Sequence, residues 1–264
     1  MTKLMLVDTM IIEIPSDKHP NLIALFEGNQ YLGLLSKSLL RQRLGVVYVD
    51  DLDEPKVAML SYKFLIFVTG DANYPLVPEL LERVPQRFLL VVPDDTWTAK
   101  MKEHWGEKLK SRERTKFSSK NLTIEHMNNI LEEIPESMHL EPLTRDTIHL
   151  ISQQAKGIVK LLFPDLDSFM KTNFGYCLRK DDRIISLTLA ATPFEEGNFE
   201  IHIETDPEYQ KRGLAMIPAA KLIKHSLEMG LVPHWDADNP PSAKLATKLG
   251  FTDPDVYQTH FWLE

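Results

Sequence analysis

Thr205-Asp206-Pro207-Glu208-Tyr209-Gln210-Lys211-Arg212-Gly213-Leu214-Ala215 runs directly into Met216-Ile217-Pro218-Ala219-Ala220-Lys221-Leu222-Ile223-Lys224-His225-Ser226-Leu227-Glu228-Met229-Gly230. The second stretch reads as a helix, because Ile217, Ala220, Ile223 and Leu227 recur at helical spacing. Pro218 falls in the first turn, where a missing N–H costs no intrahelical bond, and Gly230 suits the C-terminal cap. A helix start carries unpaired N–H groups and a partial positive charge. Gly213 lets backbone approach a ligand closely, and Lys211 and Arg212 add formal charge. The combination suits a pyrophosphate. It is neither a P-loop nor a dinucleotide fingerprint, since GxxxxGK[ST] and GxGxxG are absent. Taken alone, an ordinary tight turn explains it as well.

The flanking segments extend the pattern. Phe199 to Thr205 alternates as a half-buried strand, with Ile201 and Ile203 on one face and Glu200, His202 and Glu204 on the other. After the helix, Val232 to Ala237 reads as a strand. Asn239 before Pro240-Pro241 then suits a helix N-cap, and Gly250 a C′ position. Upstream, Phe174–Arg179 and Ile184–Ala191 form a hairpin about Lys180-Asp181-Asp182. Thr144 is read as capping a helix toward Lys156, and a further segment covers Pro164 to Thr172.

The first half mixes both element types. Gly45–Val49, Lys56–Leu60, Phe64–Thr69 and Phe88–Val92 read as strands, and Pro78–Arg83 as a helix. Asp94 or Asp95 is a cap for a helix through Trp97, Met101 and Trp105. Lys108 to Lys120 (KLKSRERTKFSSK) reads as a solvated face or linker, with contact to an anionic ligand as the minor alternative. Thr123 is read as capping a helix through Ile134. A domain boundary is placed there, giving an α/β domain over 1–134 and a second domain over 135–264.

Bulk properties exclude several classes. The chain has 264 residues, 43% hydrophobic and 26% charged, which allows one large or two modest globular domains. No apolar run approaches a bilayer span. Asp8 and Glu13 interrupt the apolar N-terminal stretch, against a secretory leader, so a soluble, cytoplasmic protein is expected. A net charge of −8 argues against a nucleic-acid binder. Cys177 is the single cysteine, so no internal disulfide or cysteine-based zinc site can form. It reads as a core residue rather than an acyl carrier. Asp236 and Asp238 near His234 lack a third ligand, so no metal is expected. Ser186 and Ser242 lack a GxSxG context.

Two motifs at matching spacing make residues of about 145–264 resemble the GNAT superfamily of acyl-CoA N-acyltransferases. Gln210, Gly213 and Ala215 match its [QR]-x-x-G-x-[GA] cofactor motif. Asn239, Ser242, Lys248, Gly250 and Phe251 match its second motif, N-x-x-(A/S)…K-x-G-F. The resemblance implies an α/β (α+β) fold with a mixed central sheet and acetyl-CoA as co-substrate. The N–H groups of Lys211, Arg212, Gly213, Leu214 and Ala215 would hold the pyrophosphate. Thr205 would meet the pantetheine arm where two strands splay, and Asn239, with Ser242, would contact the cofactor from the next helix. G-V-V-Y-V-D-D, E-P-K-V-A, V-T-G-D, E-I-H-I-E-T and P-H-W-D-A-D-N further resemble a bacterial branch with an extra N-terminal domain, the zwittermicin A resistance-type acetyltransferases. The N-terminal domain is then a candidate degenerate copy of the same fold.

Direct transfer from a thioester to an amine needs a base, a group polarising the carbonyl and an acid for the leaving thiolate. Glu200 is the favoured base and Glu204 the alternative, with a solvated or salt-bridged face as the competing explanation of both. His202 between them is a relay candidate, though a structural hydrogen bond explains it more simply. Many members place a Tyr acid where this chain has Ala246, and Tyr257 is the nearest substitute. The expected activity is transfer of acetyl to a primary amine on a small molecule or peptide. A homodimer contact through the N-terminal domain is one arrangement the sequence allows. The loss at Ala246 sustains a rival reading, a module that binds acyl-CoA or a partner and transfers nothing.

Overall fold

The computed structural model describes residues 10–29 and 31–264. Most of the N-terminal stretch considered above, Met1–Thr9, lies outside the described residues. The chain forms two compact units, one of residues up to Glu113 together with Tyr257–Glu264, the other Arg114–Val256. This division differs from the one expected at 134/135. The run expected as solvated face or linker is a strand, β6 below, exposed over residues 110–113 as a solvated face is, and its last residues already belong to the second unit.

The first unit contains β1 (Ile12–Ile14), α1 (Ile23–Phe26), α2 (Gly33–Arg41), β2 (Val46–Val49), β3 (Val57–Tyr62), β4 (Leu65–Gly70), α3 (Val77–Glu82), β5 (Leu89–Val91) and α4 (Asp95–Trp105). β6 (Leu109–Ser118) begins here, and the last strand of the chain, β12 (Thr252–Trp262), ends here. The sheet runs β1-β2-β3-β4-β5-β12, antiparallel except for the parallel pair β4 and β5. Its core gathers Met59, Ile66, Val68, Leu80, Leu81, Leu90, Trp97 and Met101. The Trp97 indole donates to Gly70 O at 2.9 Å, so the largest ring in that core leaves no N–H unpaired. Asp94, one of the two expected caps, starts α4 by accepting from Thr96 N and Trp97 N. Gly70 has φ +90°, and any Cβ there would strike the Lys56 carbonyl, so only glycine fits this strand end.

The second unit holds the end of β6, then α5 (Ile124–Leu131), β7 (His139–Pro142), α6 (Gln153–Leu162), α7 (Leu166–Thr172), β8 (Gly175–Lys180) and β9 (Arg183–Ala190). β10 (Asn198–Thr205), α8 (Met216–Glu228), β11 (Val232–Ala237) and α9 (Pro240–Lys248) complete it. Its sheet runs β6-β11-β10-β9-β8-β7. Ile201 and Ile203 of β10, Trp235 and Ala237 of β11 and Phe117 of β6 pack with Ala219, Ala220 and Ile223 of α8, Ala246 of α9 and Met127 of α5. The helices therefore cover the odd-numbered face of β10. Glu200, His202 and Glu204 take the other face. The helix expected from Thr144 starts later. Thr144 and Thr147 satisfy each other's backbone N–H through their hydroxyls, and Ser152 caps α6 by accepting from Ala155 N.

One feature of the register shapes the site. β10 and β11 run parallel but pair only over Asn198–Glu200 and Val232–His234. Beyond that, Ile201–Thr205 stay with β9, while Trp235–Ala237 pair with Phe117–Thr115 of β6. The two strands part at the level of Glu200 and His234.

Candidate functional site: a parted strand pair and a helix N-terminus

The turn between β10 and α8 leaves its donors open. Lys211 and Gly213 both have positive φ, +62° and +80°. α8 has no side-chain cap. Among the described residues, the backbone N–H groups of Lys211, Arg212, Gly213, Leu214 and Ala215 have no acceptor within the protein. Consecutive unpaired amides at a helix start make a concave donor set for a phosphate. A Cβ built on Gly213 would meet nothing within 4 Å, so the glycine keeps both its dihedral and an open face above the amides.

The side chains here have separate work. Arg212 donates to Glu208 O at 2.9 Å and lies over the Tyr209 ring at 5.1 Å. The Gln210 amide donates to Thr205 O at 3.1 Å, tying the end of β10 to the turn. The Thr205 hydroxyl meets Ser186 Oγ at 2.8 Å. Asn239 caps α9, its Oδ1 accepting from Ser242 N at 2.9 Å, while Ser242 Oγ accepts from the Trp235 indole at 3.1 Å. Gln210 to Ala215 and Thr205 thus form one continuous rim. Asn239 and Ser242 sit at the start of α9, engaged in capping and in holding Trp235.

The face of β10 away from α8 is crowded with ionisable groups. Glu200 is half-buried. Burial first, and the Asp236 charge second, push its carboxyl up to about 8, with Lys116 and Arg114 opposing. Asp236 is tied to Arg114 through Nε at 2.7 Å, both side chains being largely buried. At Glu204, burial alone would raise the carboxyl, but neighbouring His202 and Ser152 outweigh it and hold it below the usual range. His202 Nε2 lies 3.6 Å from Glu204 Oε2, too long for a hydrogen bond, and has no other partner among the described residues. Glu200 and Glu204 therefore share a strand face but not an ionisation state near neutrality.

Three contributors escape sequence reading. Arg114 and Lys116 fall within the basic run read as solvated or linker. Their alternation with Thr115 and Phe117 is the signal for a strand with one buried face. His234, considered above only as a metal ligand, pairs with Glu200 across the parting strands and contacts Asn198 at 3.0 Å. Tyr257 belongs to the first unit, where it is buried and stacked on Tyr31 with ring centroids 3.9 Å apart. Ala246 is fully buried in the cluster under α9. Cys177 is buried, its thiol pushed up to about 12 chiefly by that burial, which makes it a packing residue. Among the described residues, no group of three His, Cys, Asp or Glu side chains could hold a metal ion, and no helix is long and apolar enough to cross a membrane.

A family model described as GNAT acetyltransferase matches residues 24–260. The chain is 24% identical to YdfB, an uncharacterized N-acetyltransferase of Bacillus subtilis (strain 168), over 96% of this chain and 99% of that protein. Its structure is similar to that of a GCN5-related N-acetyltransferase-like protein from Streptococcus suis 89/1591, with a TM-score of 0.76 and 23% identity over 94% of this chain and 99% of the other. It is also similar to a tandem GNAT protein from the clavulanic acid biosynthesis pathway, with a TM-score of 0.61 and 11% identity over 96% and 98% of the two chains.

Proposed function

This chain belongs to the GNAT acetyltransferase family, and from that premise we propose that it is an acetyl-CoA-dependent N-acetyltransferase moving acetyl from the thioester directly to a primary amine. The observation that carries this reading is the run of unpaired amides from Lys211 to Ala215, beside a strand pair that parts at Glu200 and His234. In this reading the pyrophosphate lies on those amides, and the pantetheine arm follows the free backbone edge of β10 past Thr205. Gln210 braces the rim, Lys211 and Arg212 add positive charge, and Asn239 and Ser242 border the cofactor from α9. The thioester then reaches the face bearing Glu200 and Glu204, where the ionised Glu204 favours a cationic amine on a small molecule or peptide.

The first unit fits a degenerate copy of the same fold. β2, β3, β4, α3, β5, α4 and β6 follow the same order as β8, β9, β10, α8, β11, α9 and β12, each with a parallel pair bridged by a helix. In the first unit the corresponding turn closes on itself. Asp71 accepts from Asn73 N and Tyr74 N, and Val77 N donates to Tyr74 O. The Asn73 and Tyr74 amides are thus spent and Pro75 has none to offer, so the acyl donor is assigned to the second unit alone. We place the protein in the cytoplasm, acting on neither nucleic acid nor membrane, and assign the narrower likeness to the zwittermicin A resistance-type branch, with a homodimer as its assembly.

One observation favours a second reading. Ala246 buries the position where many relatives carry an acid, which suits a protein that binds acyl-CoA without transferring it. Calorimetric titration with acetyl-CoA separates the steps. Wild-type protein is expected to bind saturably. Gly213→Glu, which forces a side chain onto φ +80° and sets a carboxylate against the amides, is expected to lose at least about 100-fold in affinity, with a thermal melt showing that it folds. Binding by both proteins alike would move the donor elsewhere. Binding without thiol release across an amine panel would establish the second reading.

A further inference from the structure

Acyl transfer as set out above leaves two groups at the parting of β10 and β11 without a role, His234 and Asn198. We propose, resting on the acetyltransferase reading, that His234 Nδ1 takes the proton from the acceptor nitrogen while Glu200 carries a proton to the departing thiolate, Asn198 being the positioning residue that keeps Nδ1 bare.

The tautomer follows from the hydrogen bonds. Asn198 Nδ2 donates to Glu195 O and Glu196 O, each at 3.1 Å, so its amide is oriented and its Oδ1 faces His234. An Oδ1 can only accept. His234 Nε2, 3.0 Å away, must therefore be the protonated nitrogen, leaving the Nδ1 lone pair free. Nδ1 has no partner among the described residues and is not sealed off from solvent. Glu200 is the Cα partner of His234, so the two side chains leave the same face of the sheet where the strands part. The charged neighbours are Glu200 on β10, Asp236 on β11 and Lys116 and Arg114 on β6. Burial, then the Lys116 charge, hold the His234 imidazole below its ordinary value and so neutral. The same cluster keeps Glu200 protonated to about 8. A neutral imidazole and a protonated carboxyl, side by side, are the base and the acid this reaction needs, and the acid fills the gap at Ala246.

The step balances. The acceptor arrives as an ammonium, and Nδ1 removes one proton, freeing the lone pair. A C–N bond forms at the acyl carbon, the carbonyl π pair moves to oxygen, and its return breaks the C–S bond. Sulfur leaves with the Glu200 proton, the remaining excess proton on nitrogen returns to the Glu200 carboxylate, and His234 releases its proton to solvent. The products are an amide, the CoA thiol and one proton.

The test measures thiol release from acetyl-CoA with an amine chosen from spermidine, ethanolamine, benzylamine and lysine amide, alongside calorimetric binding of acetyl-CoA by each variant. His234→Ala is expected to keep acetyl-CoA affinity, to lose about 100-fold or more in kcat, to lose the acidic limb of the pH profile and to regain turnover with added imidazole. Asn198→Ala is expected to show a smaller loss with that limb retained, and Glu200→Gln to lose the alkaline limb. Nitrogen NMR of the wild-type imidazole is expected to show the proton on Nε2. A proton on Nδ1, or a folded His234→Ala that turns over as wild type does with both limbs in place, overturns the proposal while leaving the acetyltransferase reading standing. Wild-type protein that binds acetyl-CoA yet acetylates none of these amines overturns both.

Discussion

Glu200 has a consequence for stability that is independent of any reaction. In an unfolded chain its carboxyl ionises near 4.5, whereas in the folded second unit it holds its proton to about 8. Between those values the unfolded state gives up a proton that the folded state keeps, so the raised value lowers stability as pH rises through the window. Glu200→Gln has no such proton. The difference in melting temperature, variant minus wild type, is expected to rise between pH 4.5 and 8 and to level off outside that range. A flat difference would show that Glu200 ionises normally. At this scale the sequence is informative about type and less so about state. Alternation puts Glu200, His202 and Glu204 on one face, and the strand obeys it. Whether a carboxylate is charged depends on Asp236, Lys116 and Arg114, which reach it only through strand register.

At the level of elements, β6 is held to β11 by more than backbone pairing. Arg114 Nε donates to Asp236 Oδ1 at 2.7 Å and its Nη2 to the Asp236 carbonyl at 3.3 Å, with the ion pair largely out of solvent. Removing one partner of such a pair costs about 3–5 kcal/mol, because the other charge stays buried. Arg114→Met is expected to lower the unfolding free energy by that order in a urea titration. Arg114→Met with Asp236→Leu is expected to recover most of the loss, and full additivity of the two single changes would refute the pairing. The elements most readily read from the sequence are those whose signals are local. Asp94, Thr123 and Asn239 each cap the helix they are expected to cap, and β10, α8 and β11 follow one another as the periodicity suggests. Two expectations miss, one at Thr144 and one only at the buried end of β6, for a common reason, that a residue's type outweighs its surroundings in the reading. Thr144 is a good cap by type, yet its hydroxyl is spent on Thr147 and Ser152 starts the helix instead. Lys108–Lys120 looks solvated because nearly every side chain in it is polar, and only Phe117 announces the buried side of β6.

For the whole molecule, the telling fact is where each sheet finds its last strand. β5 of the first unit pairs with the end of β12, and β11 of the second unit pairs with the end of β6. A chain cut at 134/135 would leave the first piece without Tyr257–Trp262 and the second without Arg114–Ser118. Deleting residues 257–264 is expected to unprotect β5 and β4 in hydrogen exchange, and to lower the melting temperature of the first unit. Unchanged protection there would mean that β12 is dispensable to that sheet. No local pattern reveals such an exchange, since strand partners far apart in sequence leave no trace in periodicity. The Trp262 indole reaches back to the Val84 carbonyl across 178 residues of chain. Protein synthesis runs from the N-terminus, so the first unit cannot close its sheet while it is being made. The edge of β5 has no β12 to pair with until nearly all the second unit has been made. Of the two units, the one made earlier is thus the one finished later.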